Sequence, residues 1–365
     1  MTESFSTRGV IRIAGAYVAW VMGSGFATGQ EILQFFTSYG YYSFILLAMN
    51  LMGFMLIGPR ILRAAREHKE DHDYNHFEYF CGKKLGTFYS WFLPFSMFAG
   101  MVILISGSGA TLQEYYGINH YVGALIMASM AVGAYIIGFQ RFVRIVAFIG
   151  PVIIAFVLVV SIITIFRDME GFAAVHETVE KQPAPWWWLS GLLYISYNLC
   201  GGSKYYSALG ATAASPREAV YGGVLGTGAL MASVLLMNSA MLTDIDHTAV
   251  LEVPTLYLAR KITYVLGAVF SIILVMGIFS SCSAMLWTIS ERFVDQGSRA
   301  SYIFAGCVCA GAFFLGLLPF SGLVGVIYTI LGYVGLLFGG CVIIKSLRGK
   351  PGKKTGDREQ VDFRE

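Results

Sequence analysis

Apolar runs long enough to cross a bilayer recur along this chain from about residue 9 to residue 347, separated by short stretches rich in charge, proline or glycine. A helix needs about 20 consecutive apolar residues to cross a hydrocarbon core about 30 Å thick. In lipid, only helices and closed barrels satisfy every backbone N–H and C=O, and runs of this length are those of helices. The chain is 56% apolar and only 13% charged, against about 25% charged in an average soluble domain. That composition excludes a soluble enzyme and a disordered chain. The net charge of +3 comes with no basic stripe interleaved with aromatics, so nucleic acid is not an expected partner. The expected partners are the lipid bilayer and a small solute, and the oligomeric state is left open.

Ten spans are predicted, at 9–37, 40–64, 86–115, 119–138, 142–166, 187–209, 216–242, 259–292, 299–317 and 321–347. They form a single transmembrane domain, 9–347, followed by a polar tail, 348–365, whose early lysines suit an anionic leaflet. Lysine and arginine are retained in cytoplasmic loops. Placing both termini in the cytoplasm puts 20 of the 25 basic residues inside, leaving Arg167, Lys181, Arg260 and Lys261 outside and Lys204 within a span. Trp186, Trp187 and Trp188 then fall at the outer interface, where indoles prefer to lie. Five of the six cysteines lie in apolar segments and none forms a CxxC pair, so neither a disulfide framework nor a zinc site is indicated.

Glycine clusters interrupt two spans near their middles: Gly23-Ser24-Gly25 in the first and Gly201-Gly202, after Asn198, in the sixth, about 177 residues apart. Other span midpoints are offset by nearly the same distance, so the chain reads as two five-helix halves, 9–166 and 187–347. Five is odd, so the second half enters from the opposite side and the repeat is inverted. Glycine-interrupted segments at corresponding positions of inverted repeats point to a secondary transporter's binding site. Half-helix N-termini at Phe26 and Ser203 would offer N–H groups to a carboxylate, and C-terminal ends near Met22 and Leu199 would offer carbonyls to a cation. Glycines also serve close helix packing, which is the competing explanation. The substrate-binding set expected here is Gly23, Ser24, Gly25, Phe26, Tyr197, Asn198, Gly201 and Gly202, with Trp20, Tyr194 and Tyr205 as neighbours.

Charges inside spans are costly, about 3 kcal/mol at the centre by insertion scales, and are functional by default. Glu31 and Lys204 are such charges. Either they pair as an outer gate, or Glu31 titrates alone as a proton carrier. Glu114, at the outer end of the third span, reads as a solvated helix end. His68, His72 and His76 recur every four residues in the loop after the second span and would share a face if that loop were helical; the charges around them favour a solvated connector over a metal site.

The run Gly23-Ser24-Gly25-Phe26-Ala27 resembles the unwound first-helix segment of the amino acid–polyamine–organocation superfamily, and Ser215-Pro216-Arg217-Glu218-Ala219 is similar to its cytoplasmic motif before the seventh helix. The continuation from Gly29 to Phe36 most resembles the YkvI-like bacterial membrane proteins. Read alone, Ser215 to Glu218 is a capping box with proline at the first helical position. The resemblance implies the leucine-transporter fold in a bacterial plasma membrane, with helices one, two, six and seven as a bundle moving against a scaffold of three, four, eight and nine. Substrate would lie between helices one, three, six and eight. It also implies a sodium site between first-helix carbonyls, here around Ala19 and Met22, and the eighth helix, where Gly277, Ser280 and Ser281 have matching spacing. Serines that bond back to their own helix are the alternative there. No lysine lies between Phe142 and Phe166, which closes the lysine route used by some proton-coupled relatives and leaves a glutamate route open.

The expectation is an all-α membrane protein without catalytic residues or cofactor: a cation-coupled transporter of a small organic solute such as an amino acid, with sodium or a proton as coupling ion. A solute-sensing receptor subunit on the same fold is the alternative.

Overall fold

The computed structural model describes residues 6–71, 73–138, 149–174 and 182–348, and the regular structure among them is helical. The first expected span is three short helices, α1 (Thr7–Val21), α2 (Ser24–Thr28) and α3 (Gln30–Phe35). Long helices follow: α4 (Tyr42–Glu67), α5 (His76–Tyr116), α6 (His120–Ile137) and α7 (Ile149–Arg167). An interrupted pair, α8 (Trp187–Gly201) and α9 (Ser203–Ala211), leads to α10 (Pro216–Leu242), the short α11 (Ile245–Thr248) and α12 (Pro254–Ile262), then α13 (Tyr264–Phe293), α14 (Arg299–Leu315) and α15 (Phe320–Arg348). Among the described residues seven helices (α4, α5, α6, α7, α10, α13 and α15) are each long and apolar enough to cross a membrane. Large apolar side chains such as Ile45, Met52 and Leu56 of α4 point outward while Leu46, Phe54 and Ile61 of the same helix are buried. A helix apolar on both faces belongs in lipid.

Helix starts follow side-chain caps. Ser215 Oγ accepts from the Glu218 N–H at 3.2 Å, the first half of a capping box, while Glu218 Oε1 reaches one residue beyond the cap to accept from the Ala214 N–H, with Pro216 in the first turn. The side chains of Asn75, Asn119, Thr263 and Ser298 accept first-turn N–H groups of α5, α6, α13 and α14. Two limits differ from the sequence reading. The third span begins at His76, not 86, because a short arm precedes a non-helical residue, Gly82 (φ 75°), and folds back on Gly86, where a Cβ would come within 2.5 Å of Glu78 Cα. The eighth begins at Tyr264, where extended Thr263 separates it from α12. The expected segments at 142–148 and 349–365 lie outside the described residues.

The packing falls into two groups. In one, α4 and α10 pack together, α1 lies on α10, and α4 also packs on α8 and α9. In the other, α5 packs on α6, α13 and α14, and α6 on α13 and α14. α15 joins them by packing on both α8 and α5, and α2 reaches across to α13. Trp186 and Trp188 stack on each other, exposed at the start of α8, and Trp187 stacks on Tyr42 at the start of α4. The histidine series shares no helical face. α4 ends at Glu67, His68 stacks on Tyr74, and His76 opens α5 with Nε2 3.2 Å from Ser203 Oγ; His72 lies outside the described residues.

Candidate functional site

The first span breaks twice. α1 ends at Val21, Gly23 is extended, and α2 runs only to Thr28 before Gly29 turns with φ 88°, a left-handed value that favours glycine. This second break redirects α3 so that all its residues are buried. Glu31, in the first turn of α3, lies with its carboxyl among aromatic rings. Tyr197 Oη of α8 donates to Glu31 Oε2 at 2.6 Å, and Tyr328 of α15 donates a second hydrogen bond. The two tyrosine rings stack at 4.6 Å, and Tyr194 meets Tyr197 edge-on at 5.5 Å. A Cβ at residue 25 would lie 2.7 Å from Glu31 Oε1 and 3.2 Å from Tyr328 Oη, so Gly25 allows α2 to pass over the carboxyl.

A cavity of about 360 Å³ opens beside this cluster. Its wall includes Gly23, Gly25, Phe26, Glu31, Tyr197, Asn198 and Gly201, which the sequence pointed to. It also includes Trp20 and Tyr205, whose rings stack at 5.1 Å. α2 begins at Ser24, whose side chain lies outside the described residues. Of the sodium set, Ala19 and Ser281 line the cavity; Met22 and Gly277 are buried and Ser280 is half-buried, all three outside its wall. The sites are linked to the extent that α13, which carries these serines, packs on α2.

One expectation is met only in part, and another fails. Gly202 keeps helical dihedrals (φ −81°, ψ −5°); its N–H donates to Asn198 O at 2.9 Å and its carbonyl accepts from Tyr206 N at 2.8 Å. The sixth-span interruption is therefore short, confined to this one residue between α8 and α9. Gly202 serves close packing, since a Cβ there would collide with the Trp20 indole. Nor do Glu31 and Lys204 pair. Lys204 is exposed on α9, one residue from the Ser203–His76 contact, while the partners of Glu31 are tyrosines. The sixth span runs antiparallel to the first, so a residue beyond its break lies toward the end where α1 begins, opposite to a residue beyond the first break.

Beyond Glu31 the cavity is sealed. Every residue from 26 to 40 is buried. Gln30 donates to Leu251 O at 2.6 Å, Gln34 to Ser321 O at 2.8 Å, and Thr255 Oγ1 to Ala27 O. Glu252 accepts from the Ser321 N–H and hydroxyl, and Glu114 accepts from the Glu252 and Val253 N–H groups at 2.9 and 3.0 Å. Glu114 is thus an anchor for the segment before α12, not a solvated helix end. Toward the start of α1 the wall includes exposed Ala19 and half-buried Ser96, Ala284 and Thr288. The sequence reading missed Tyr328, Gln34, Glu252 and Thr255. Its one usable signal was that a buried carboxyl needs donors.

No family model matches the chain. It is similar to the Bacillus subtilis (strain 168) membrane protein YkvI, 24% identical over 339 residues that cover 92% of this chain and 95% of that one. It is also similar to YyaD of the same organism, 20% identical over 90% of this chain and 95% of that protein. Among solved structures, a manganese transporter of Eremococcus coleocola aligns with 93% of this chain and 75% of its own, at 12% identity and a TM-score of 0.45. That last likeness fixes neither cargo nor coupling here. The similarity to YkvI runs the length of the chain, in keeping with the resemblance carried by Gly29 to Phe36.

Proposed function

We propose that this chain is a cation-coupled secondary transporter that moves a small organic solute across the bacterial plasma membrane by alternating access, on a ten-span inverted repeat of the leucine-transporter kind with both termini cytoplasmic. One observation carries the reading: a buried carboxyl, Glu31, sits at the break of the first span in a cavity that is lined on the α1 side by exposed and half-buried residues and sealed on the other by a polar clamp. A membrane-buried ionisable group facing a cavity is expensive and marks a path for solute or ion. The cavity lies between the group containing α1, α4, α8 and α10 and the group containing α5, α6 and α13, so movement of one group against the other would exchange the open and sealed sides.

In this reading Gly23, Ser24, Gly25, Phe26, Tyr197, Asn198 and Gly201 hold the solute, and Gly202 acts through Trp20. Glu31 carries the coupling proton. It is favoured over the sodium set of Ala19, Met22, Gly277, Ser280 and Ser281 because only two of those five line the cavity. Lys204 takes no part in a gate with Glu31. The test is the melting temperature of the purified protein against a panel of amines and amino acids, in sodium and in choline buffer at several pH values. A ligand that binds only the folded state raises it by mass action. Stabilisation that follows pH and ignores sodium supports the proton. Stabilisation that requires sodium and is lost in Ser280→Ala with Ser281→Ala would move the coupling to α13.

A further inference from the structure

The cavity wall is rich in aromatic rings. Among the described residues that line it, Glu31 is the only Asp, Glu, Lys, Arg or His. Among the described residues α3 packs on α2, α8, α10, α15 and the 3-10 helix Thr37–Tyr39; the phenol of Tyr39 donates to Ala184 O, and three other phenols, of Tyr194, Tyr197 and Tyr328, face the carboxyl. Phenols donate hydrogen bonds but bring no positive charge. A carboxylate so deep in the membrane body is costly while it lacks a cation. The site is electrically complete in two ways, with a proton on the carboxyl or with a cation beside it.

The rest of the wall says which cation. Trp20, Phe26, Phe92, Tyr197, Tyr205 and Tyr328 line the space. Such surfaces attract ammonium groups with apolar bodies, whereas a small inorganic cation prefers several hard oxygens. Among the described residues the wall offers no cationic side chain to pair with a solute carboxylate, which weighs against an amino acid. A second cavity, of about 490 Å³, lies one turn farther along α3 and one turn back along α15, lined by Gln34, Gln182, Ser321, Gly325 and Thr329. Glu31, Tyr197 and Tyr328 line the first cavity and not the second, whose wall includes the clamp residues Gln34 and Ser321.

Resting on the transporter reading above, we propose that Glu31 is shared, one at a time, by a proton and a monovalent organic cation with an apolar body, so that the chain exchanges the one for the other. When the cation binds, the carboxyl O–H bond breaks and its electron pair stays on the carboxylate. The proton leaves to water and the carboxylate pairs with the cation. Net charge in the site is unchanged and no electron is transferred.

The test uses the full chain in detergent, weakly buffered, with benzyltrimethylammonium as probe and neopentylbenzene as its uncharged isostere. Binding is read by tryptophan fluorescence and calorimetry, and proton release by a pH indicator. The expected result is one proton released per cation bound, with affinity rising about tenfold per pH unit while the carboxyl is protonated, as one-for-one linkage requires. The isostere releases none, and Glu31→Gln loses the release and weakens cation binding at least a hundredfold. If that variant does not fold, the wild-type stoichiometry decides alone. Cation binding without proton release, or no cation binding, overturns the proposal. Binding and accumulation of zwitterionic phenylalanine in its place overturns the proposal while the transporter reading stands. Proton release on cation binding, with neither species moved in proteoliposomes, overturns exchange and transport together and leaves only a shared binding site.

Discussion

Gly29→Ala is the substitution whose cost the structure defines most closely. Gly29 turns the chain between α2 and α3 at φ 88°, where alanine is disfavoured by roughly 1–2 kcal/mol. The added methyl would collide with the Met241 terminal methyl and lie 3.1 Å from Thr255 Cγ2 and 3.3 Å from the Thr255 backbone nitrogen. The methionine tip can swing, but the Thr255 backbone cannot yield without moving α12, and overpacking of this kind costs about 1–3 kcal/mol. The sum is about 2–5 kcal/mol. At roughly 2–4 °C per kcal/mol for a large domain, the apparent melting temperature should fall by about 4–20 °C at a fixed scan rate. The control is Gly15→Ala in α1, where a Cβ meets nothing within 4 Å and helix propensity favours alanine by about 1 kcal/mol. Because the Gly29 turn aims Glu31, solute binding should weaken in the first variant and hold in the second. A Gly29→Ala protein that melts within 1 °C of wild type would refute the turn and the packing argued around it.

Tyr197→Phe and Tyr328→Phe each remove a donor from the Glu31 carboxyl, at about 1.5–3 kcal/mol per bond to a charged acceptor; each should change solute affinity about 10- to 100-fold, and the double variant should be non-additive in a titration of both singles. Glu114→Gln weakens the anchor on the Glu252 and Val253 N–H groups, and should speed hydrogen exchange in 245–255 more than elsewhere, read by mass spectrometry. Outside the membrane-spanning helices, burial pulls the Asp244 carboxyl up, but hydrogen bonds from Lys261, His247 and Tyr257 outweigh it and hold it below its ordinary value. Burial pulls Lys261 down, and Asp244 and Asp168 more than restore it, so it lies above its ordinary value. The carboxylate's stabilising effect is therefore present above its unfolded pKa of about 3.9 and lost as pH falls through the lower folded value, while that of the lysine is present below about 10.4 and lost only above its raised folded value. Melting profiles should show a loss at the acidic end that Lys261→Met reduces, and an acid limb identical in that variant and wild type would count against the cluster.

The helical membrane body was legible in the sequence because apolar runs of span length admit few other folds. The first break was legible in Gly23 and Gly25, whose spacing leaves the chain free to unwind. Gly29 was not singled out, since one glycine in a chain with 42 carries no signal until Met241 and Thr255 crowd it. The break in the sixth span was legible in Gly201-Gly202, but the packing role of Gly202 was not, because a glycine that interrupts a helix and one that admits an indole look the same in a sequence. Glu31 was legible as a costly charge. Its supposed partner was not, since pairing it with Lys204 overlooked that spans one and six run in opposite directions. Tyr328 comes from the last span and meets Glu31 only through tertiary packing, which no local spacing records.

The most direct test of the transporter account is net movement of solute by the lone chain in proteoliposomes, using the compound that most raises the melting temperature and an imposed proton gradient. The account predicts accumulation against a concentration gradient that collapses with a protonophore and is absent in Glu31→Gln. Tight binding of the same compound with no accumulation, in vesicles holding folded protein, would contradict it and leave a receptor on this fold.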